Sequence, residues 1–233
     1  TGTDSGAVYV FTRNSGGTWE QSAYLKASNN SNSDNFGRHV DLDGDTIVVG
    51  APGEDSNQTF VTNGSQASVD GSMTDSGAAY VFEQTIANTW TQVAHLTASD
   101  MDQGQYFGCA VDINGDELIV GAYGEYHDTS GLASMPEAGA AYIFKREAGV
   151  WDADQKVVAT IRGGWDRYGY SVAIDSNVAV VGAKAEDHSE FEGAFLHNAG
   201  SAYIYTRDIS GLWGVQKIDA SDRDVGDHFG IEV

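Results

Sequence analysis

Carboxylates recur at fixed stations along this chain. Glu54, Glu125 and Glu186 each lie four residues after the glycine of a Gly-Ala pair. Asp4, Asp75 and Glu137 each lie two residues before a second recurring glycine, and Asp34, Asp166 and Asp227 each lie two residues before a Phe-Gly or Tyr-Gly pair. Hard oxygens gathered without cysteine ligands or paired histidines suit Ca²⁺ rather than zinc. The same residue types also cap turns and keep a surface soluble, so the pattern leaves both uses open.

A second set lies in Asp41-Leu42-Asp43-Gly44-Asp45, echoed by Asp112-Ile113-Asn114-Gly115-Asp116. Asp-Gly and Asn-Gly are tight-hairpin signals. The loop is short for an ion that takes about six to eight oxygens, so a plain turn is preferred over a calcium loop. His127 and His188 share a repeat position and could bind a partner or titrate together, or serve as surface polar residues. Trp19, Trp90, Trp151 and Trp213 recur in register and read as packing residues; Trp165 falls outside that register and could anchor a partner or glycan. The single cysteine, Cys109, allows no internal disulfide and reads as a buried packing residue. No Gly-x-Ser-x-Gly elbow or His-Glu-x-x-His pair is present, so the expectation is a protein that is not an enzyme.

The elements that must position these groups are strands. Gly6-Ala7-Val8-Tyr9-Val10-Phe11 returns as Gly77–Phe82, Gly139–Phe144 and Gly200–Tyr205. Phe36-Gly37, Phe107-Gly108, Tyr168-Gly169 and Phe229-Gly230 mark the same cycle, at intervals of 71, 61 and 61 residues. The extra ten residues fall in the Gly53–Ser76 loop. Each cycle holds four stretches rich in Val, Ile, Tyr, Phe and Trp, separated by Gly-rich turns. Consecutive apolar runs such as Ile47-Val48-Val49 predict strands buried on both faces. Four antiparallel strands that need neighbours on both faces describe a β-propeller blade; the rival all-β reading is a two-sheet sandwich. Strand parity then places the short hairpins at one end and the long polar loops, with most of the recurring acids, at the other. The pinned loop ends predict that Glu54 approaches Asp75 and that Glu125 approaches Glu137.

Phe36-Gly37 followed by Gly50-Ala51-Pro52, and then Gly77-Ala78-Ala79-Tyr80-Val81-Phe82, resembles the FG-GAP repeat of integrin α subunits, in a compact bacterial form with Gly44-Asp45-Thr46-Ile47-Val48-Val49-Gly50-Ala51 and Thr89-Trp90-Thr91-Gln92. The resemblance implies an all-β propeller in which the Phe-Gly strand is innermost. On that scheme residues 1–27 are an outer half-blade, 36–97, 107–160 and 168–218 are full blades, and 228–233 start a further inner strand. About four repeats are expected to be part of a larger ring, a small ring closed by both ends, or a subunit sharing strand edges with a neighbour.

The formal charge of −22, from 34 acidic and 12 basic side chains, disfavours nucleic acid and anionic lipid. No apolar run of about 18 residues predicts a membrane span. The resemblance implies a non-catalytic extracellular or cell-surface module for adhesion, binding or assembly, with Ca²⁺ as its cofactor. Its expected partner is a protein or glycan on the acidic loop face, or other copies of itself. The alternatives are a structural subunit of a surface filament or layer and the accessory propeller of a secreted hydrolase.

Overall fold

A computed structural model describes residues 2–86, 89–131, 134–188 and 195–233, and their regular structure is entirely β. The first sheet pairs β1 (Val8–Arg13) with β2 (Trp19–Leu25). The second runs β3 (Val40–Asp43), β4 (Thr46–Ala51), β6 (Ala78–Ile86), β7 (Thr89–Leu96), with β5 (Thr62–Asn63) added outside β7. The third runs β8 (Ala110–Asn114), β9 (Glu117–Ala122), β10 (Ala140–Glu147), β11 (Val150–Val157). The fourth runs β12 (Tyr168–Asp175), β13 (Val178–Ala183), β14 (Ser201–Arg207), β15 (Trp213–Ile218). All these pairings are antiparallel, and four separate sheets built in chain order fit successive propeller blades rather than the two sheets of a sandwich.

The core lies between the sheets. Alternation along β4 sends Ile47 and Val49 into one cluster with Leu25, Phe36, Tyr80 and Phe82, and Val48 into another with Val81, Leu96, Phe107, Leu118 and Trp151. A third cluster joins Ile119 and Ile143 to Tyr168, Val181 and Tyr203. The second strands β4 and β9 are therefore apolar on both faces, because each face has a neighbouring sheet to cover.

Glycines set how close the sheets come. A Cβ on Gly50 would lie 2.0 Å from the Gly108 carbonyl oxygen of the next sheet, and Gly121 meets Gly169, and Gly182 meets Gly230, at the same 2.0 Å. The Phe-Gly pair does more than begin an inner strand. Phe36, Phe107, Tyr168 and Phe229 each form a parallel bridge to Gly6, Gly77, Gly139 and Gly200 of the preceding unit. Ladder pairing is continuous only from Val40 in β3 and Ala110 in β8, although Gly37 and Gly108 already donate to the Gly50 and Gly121 carbonyls at 3.0 Å.

The long Gly53–Ser76 segment is also more than a loop. Its β5 pairs with β7, and the Asn63 side chain reaches the third sheet: Nδ2 donates to the Trp151 carbonyl at 2.9 Å, and Oδ1 accepts the Trp151 N–H at 2.9 Å. The inserted residues tie two sheets together.

Candidate functional site

Each full sheet ends its second strand by turning Glu54, Glu125 or Glu186 inward, leaving them 3%, 0% and 0% exposed. Beside each sits the residue two before the Phe/Tyr-Gly pair: Asp34, Gln105 or Asp166, all buried. An ionised carboxylate in such a place needs a cation or several donors. The fourth strand supplies the cation in two of the three sheets. Cross-strand register places His95, Lys156 and Lys217 opposite Tyr80, Tyr142 and Tyr203 respectively.

In the fourth sheet Lys217 Nζ lies 2.6 Å from Glu186 Oε1 and donates to the His188 carbonyl at 2.5 Å, while the Tyr203 hydroxyl donates to Glu186 Oε2 at 2.7 Å. In the third sheet Lys156 Nζ lies 2.5 Å from Asp100 and 3.4 Å from Glu125, and donates to the His127 carbonyl at 3.1 Å. Gln105 Nε2 and the Tyr142 hydroxyl also donate to Glu125. The second sheet has the acids without the lysine. Asn29 Nδ2 donates to Glu54 Oε1 at 2.7 Å, Ser56 donates to Oε2 through its N–H at 3.1 Å and its hydroxyl at 2.8 Å, and the Tyr80 hydroxyl turns to Asn29 Oδ1.

Titration follows from these surroundings. Burial pushes the Glu54 carboxyl up to about 7 against its hydrogen bonds from Ser56 and Asn29. Burial also raises Glu125 and Glu186, with Lys156 and Lys217 pulling the other way. Asp166 is pushed up to about 7 by burial and then by the Glu186 charge. Burial lowers His95 to about 4, so it is neutral at pH 7.

The other recurring acids have local duties. Asp34, Asp166 and Asp227 each accept the N–H three residues back through Oδ2, at 2.5, 2.5 and 2.6 Å. Asp4, Asp75 and Glu137 hold left-handed backbone, with φ of 54°, 52° and 45°. Their carbonyls accept the N–H of Asn35, Tyr106 and Arg167. The two loop ends do meet through the backbone, since Gly77 N–H donates to the Glu54 carbonyl at 2.8 Å. The loop ends that carry Glu125 and Glu137 meet in the same way, Gly139 N–H donating to the Glu125 carbonyl at 2.7 Å. Asp75 N–H is held by Asp55 Oδ1 at 2.8 Å, and Glu137 pairs with Arg167 at 2.9 Å. Asp166, Glu186 and His188 offer ligand atoms within 4.8 Å of one another, a group that could hold a metal ion.

The FG-GAP repeat family matches residues 19–82, 90–144 and 151–205, most of the chain. The chain belongs to the FG-GAP repeat family. No curated protein matches it. Each FG-GAP window opens on the fourth strand of one sheet and closes on the third strand of the next, so repeat and sheet are offset by a strand.

In these FG-GAP repeats the hairpin acids at the opposite end tie sheet to sheet. Asp41 Oδ2 accepts the Ile113 N–H at 3.0 Å, and Asp43 Oδ2 accepts the Gly115 N–H at 2.7 Å. Asp112 Oδ2 accepts the Ile174 N–H at 2.5 Å, and Asn114 Oδ1 accepts the Ser176 N–H at 3.3 Å. Asp116 is engaged by Arg146 at 2.6 Å, and the Asp45 carbonyl accepts the Gln84 N–H. These hairpins are tight turns and inter-sheet ties. Cys109 is buried, and burial pushes its thiol up to about 12, which removes it as a nucleophile at pH 7. Trp165 stands 58% exposed. His127 lies over Tyr126 with Nδ1 3.4 Å from Glu125, and His188 packs edge-on to Phe195.

Proposed function

We propose that this FG-GAP domain is a non-catalytic extracellular or cell-surface module for adhesion, binding or assembly. Its loop end takes a protein or glycan partner and is steadied by Ca²⁺. The carrying observation is the division of labour between the two ends. At the hairpin end the recurring acids are engaged by neighbouring sheets, whereas the loop end gathers the buried carboxylates beneath long polar segments and the exposed Trp165. Long loops on a rigid scaffold are where recognition usually sits. The test is saturable binding to panels of immobilised glycans and extracellular proteins, with calcium and with chelator. Trp165→Ala is expected to weaken it; binding equal in that variant and in chelator sinks the reading.

The second reading is a structural role in a filament or layer, by strand sharing between copies. Among the described residues β1 pairs only with β2, and Tyr9, Phe11, Trp19 and Tyr24 are each at least half exposed. Strands added at β1 by a second copy would pair its backbone edge. Sedimentation at rising concentration distinguishes the two: strand sharing gives discrete multimers, a free module stays monomeric.

A further inference from the structure

The three carboxylate chambers are built to one plan, and the second sheet's departs from it at one residue. Where Lys156 and Lys217 bring an ammonium to Glu125 and Glu186, the second sheet has His95, which is fully buried with both ring nitrogens lacking a partner among the described residues. Its acids are nonetheless kept. Asp34 is 1% exposed, its Oδ2 takes the Ser31 N–H, and its Oδ1 is buried with no hydrogen-bond partner among the described residues. A buried carboxylate oxygen left in this way is costly unless a cation completes it. The nearby Lys26 does not do so, because its ammonium is bonded to Ser5 and the Gly6 carbonyl.

The space is there. Asn29, Asp34, Glu54, Asp55, Ser68 and Asp70 line a recess of about 40 Å³. That exceeds the roughly 10–15 Å³ needed for a single water-sized occupant. Its polar lining is carboxylate, carboxamide and hydroxyl, without thiol, beside Val69 and Gly71. That donor set fits Ca²⁺, which accepts many oxygens in irregular geometry, better than Mg²⁺, which holds a strict octahedron and sheds water reluctantly.

We propose that the recess between Asp34 and Glu54 binds one calcium ion, in the role that a lysine ammonium fills in the third and fourth sheets. This rests on the reading of the loop end as calcium-bearing and fixes where the ion goes. The ion joins the linker that carries Asp34 to the loop that carries Glu54 and Asp55, so it holds the loop end of the second sheet closed.

The test is thermal melting of the intact chain in CaCl₂, in MgCl₂ and in chelator, with calorimetric titration of CaCl₂. The melting temperature is expected to rise by several degrees once free calcium stands about 100-fold above its Kd, with a smaller response to magnesium. His95→Lys restores the missing ammonium; it is expected to melt higher than wild type in chelator and to lose the calcium response. Asp34→Asn keeps the shape and the turn, and its calcium affinity is expected to fall about tenfold or more. It carries the test if His95→Lys does not fold. If wild type ignores calcium, both this site and the calcium reading of the loop end are overturned. If wild type responds and either folded variant keeps the full response, the ion lies elsewhere and only this site falls.

Discussion

Lys217 Nζ lies 2.6 Å from Glu186 Oε1, with the two side chains 1% and 0% exposed. The Tyr203 hydroxyl and the His188 carbonyl complete the arrangement. Removing one partner strands the other as an uncompensated buried charge. Lys217→Met is therefore expected to destabilise the protein by about 3–5 kcal/mol, and Lys217→Met with Glu186→Gln by clearly less. Urea unfolding of the two variants measures this; equal losses would mean the pair does not act as a unit.

The hairpin end carries its own proton. Asp112 is pushed up from its ordinary 3.8 to about 7, chiefly by burial and further by the Asp41 carboxylate beside it. The folded state thus holds a proton that the unfolded chain releases near pH 4. Its stabilising contribution is complete below about 4 and is lost as pH rises through about 7. Stability is expected to decline between about pH 4 and pH 7, and Asp112→Asn, which can still accept the Ile174 N–H, should flatten that decline. A slope unchanged in the variant would assign it to other groups.

Much of the scaffold was legible in the sequence. Consecutive apolar residues such as Ile47-Val48-Val49 announce strands covered on both sides, and the recurring Gly-Ala and Phe-Gly stations announce the repeat. The glutamates were legible as recurring acids, but their lysine partners were not, and the reason is geometric. A one-residue bulge interrupts the pairing of third and fourth strands between Val10 and Phe11, Val81 and Phe82, and Ile143 and Phe144, whereas β14 and β15 pair without one. Counting from Trp151 to Lys156 and applying the same step to Trp213 lands on Ile218, not Lys217. Only the Tyr142–Lys156 and Tyr203–Lys217 registers reveal that the lysines are equivalent. The left-handed backbone at Asp75 and Glu137 was hidden likewise, since the residue types permit it but do not fix it.

Sheet spacing can be challenged directly. Gly50→Ala would place a methyl 2.0 Å from the Gly108 carbonyl, a backbone atom that cannot turn aside. The expected loss is about 3 kcal/mol or more, through separation of the two sheets. Gly214→Ala is the control, since its nearest neighbour is the Thr206 carbonyl at 3.7 Å, and its expected effect is within about 0.5 kcal/mol. Similar losses at both positions would refute the close-contact account.

Asn63 tests the inserted segment. Its side chain answers both the N–H and the carbonyl of Trp151 at 2.9 Å. Asn63→Ala is expected to cost about 1–3 kcal/mol, because both backbone groups lose their partner. Hydrogen exchange at the Trp151 amide should quicken more than at Trp90; equal protection in wild type and variant would show that the tie is incidental.

The strand offset between repeat and sheet makes the unit of inheritance and the unit of folding run out of phase. Whatever number of copies is duplicated, each new one reaches back to complete its predecessor and leaves its own outer edge to be finished by its successor. Tension applied to the two ends is then borne by interlocked links rather than by modules hung on a string, and no link can come free without tearing a strand from its neighbour.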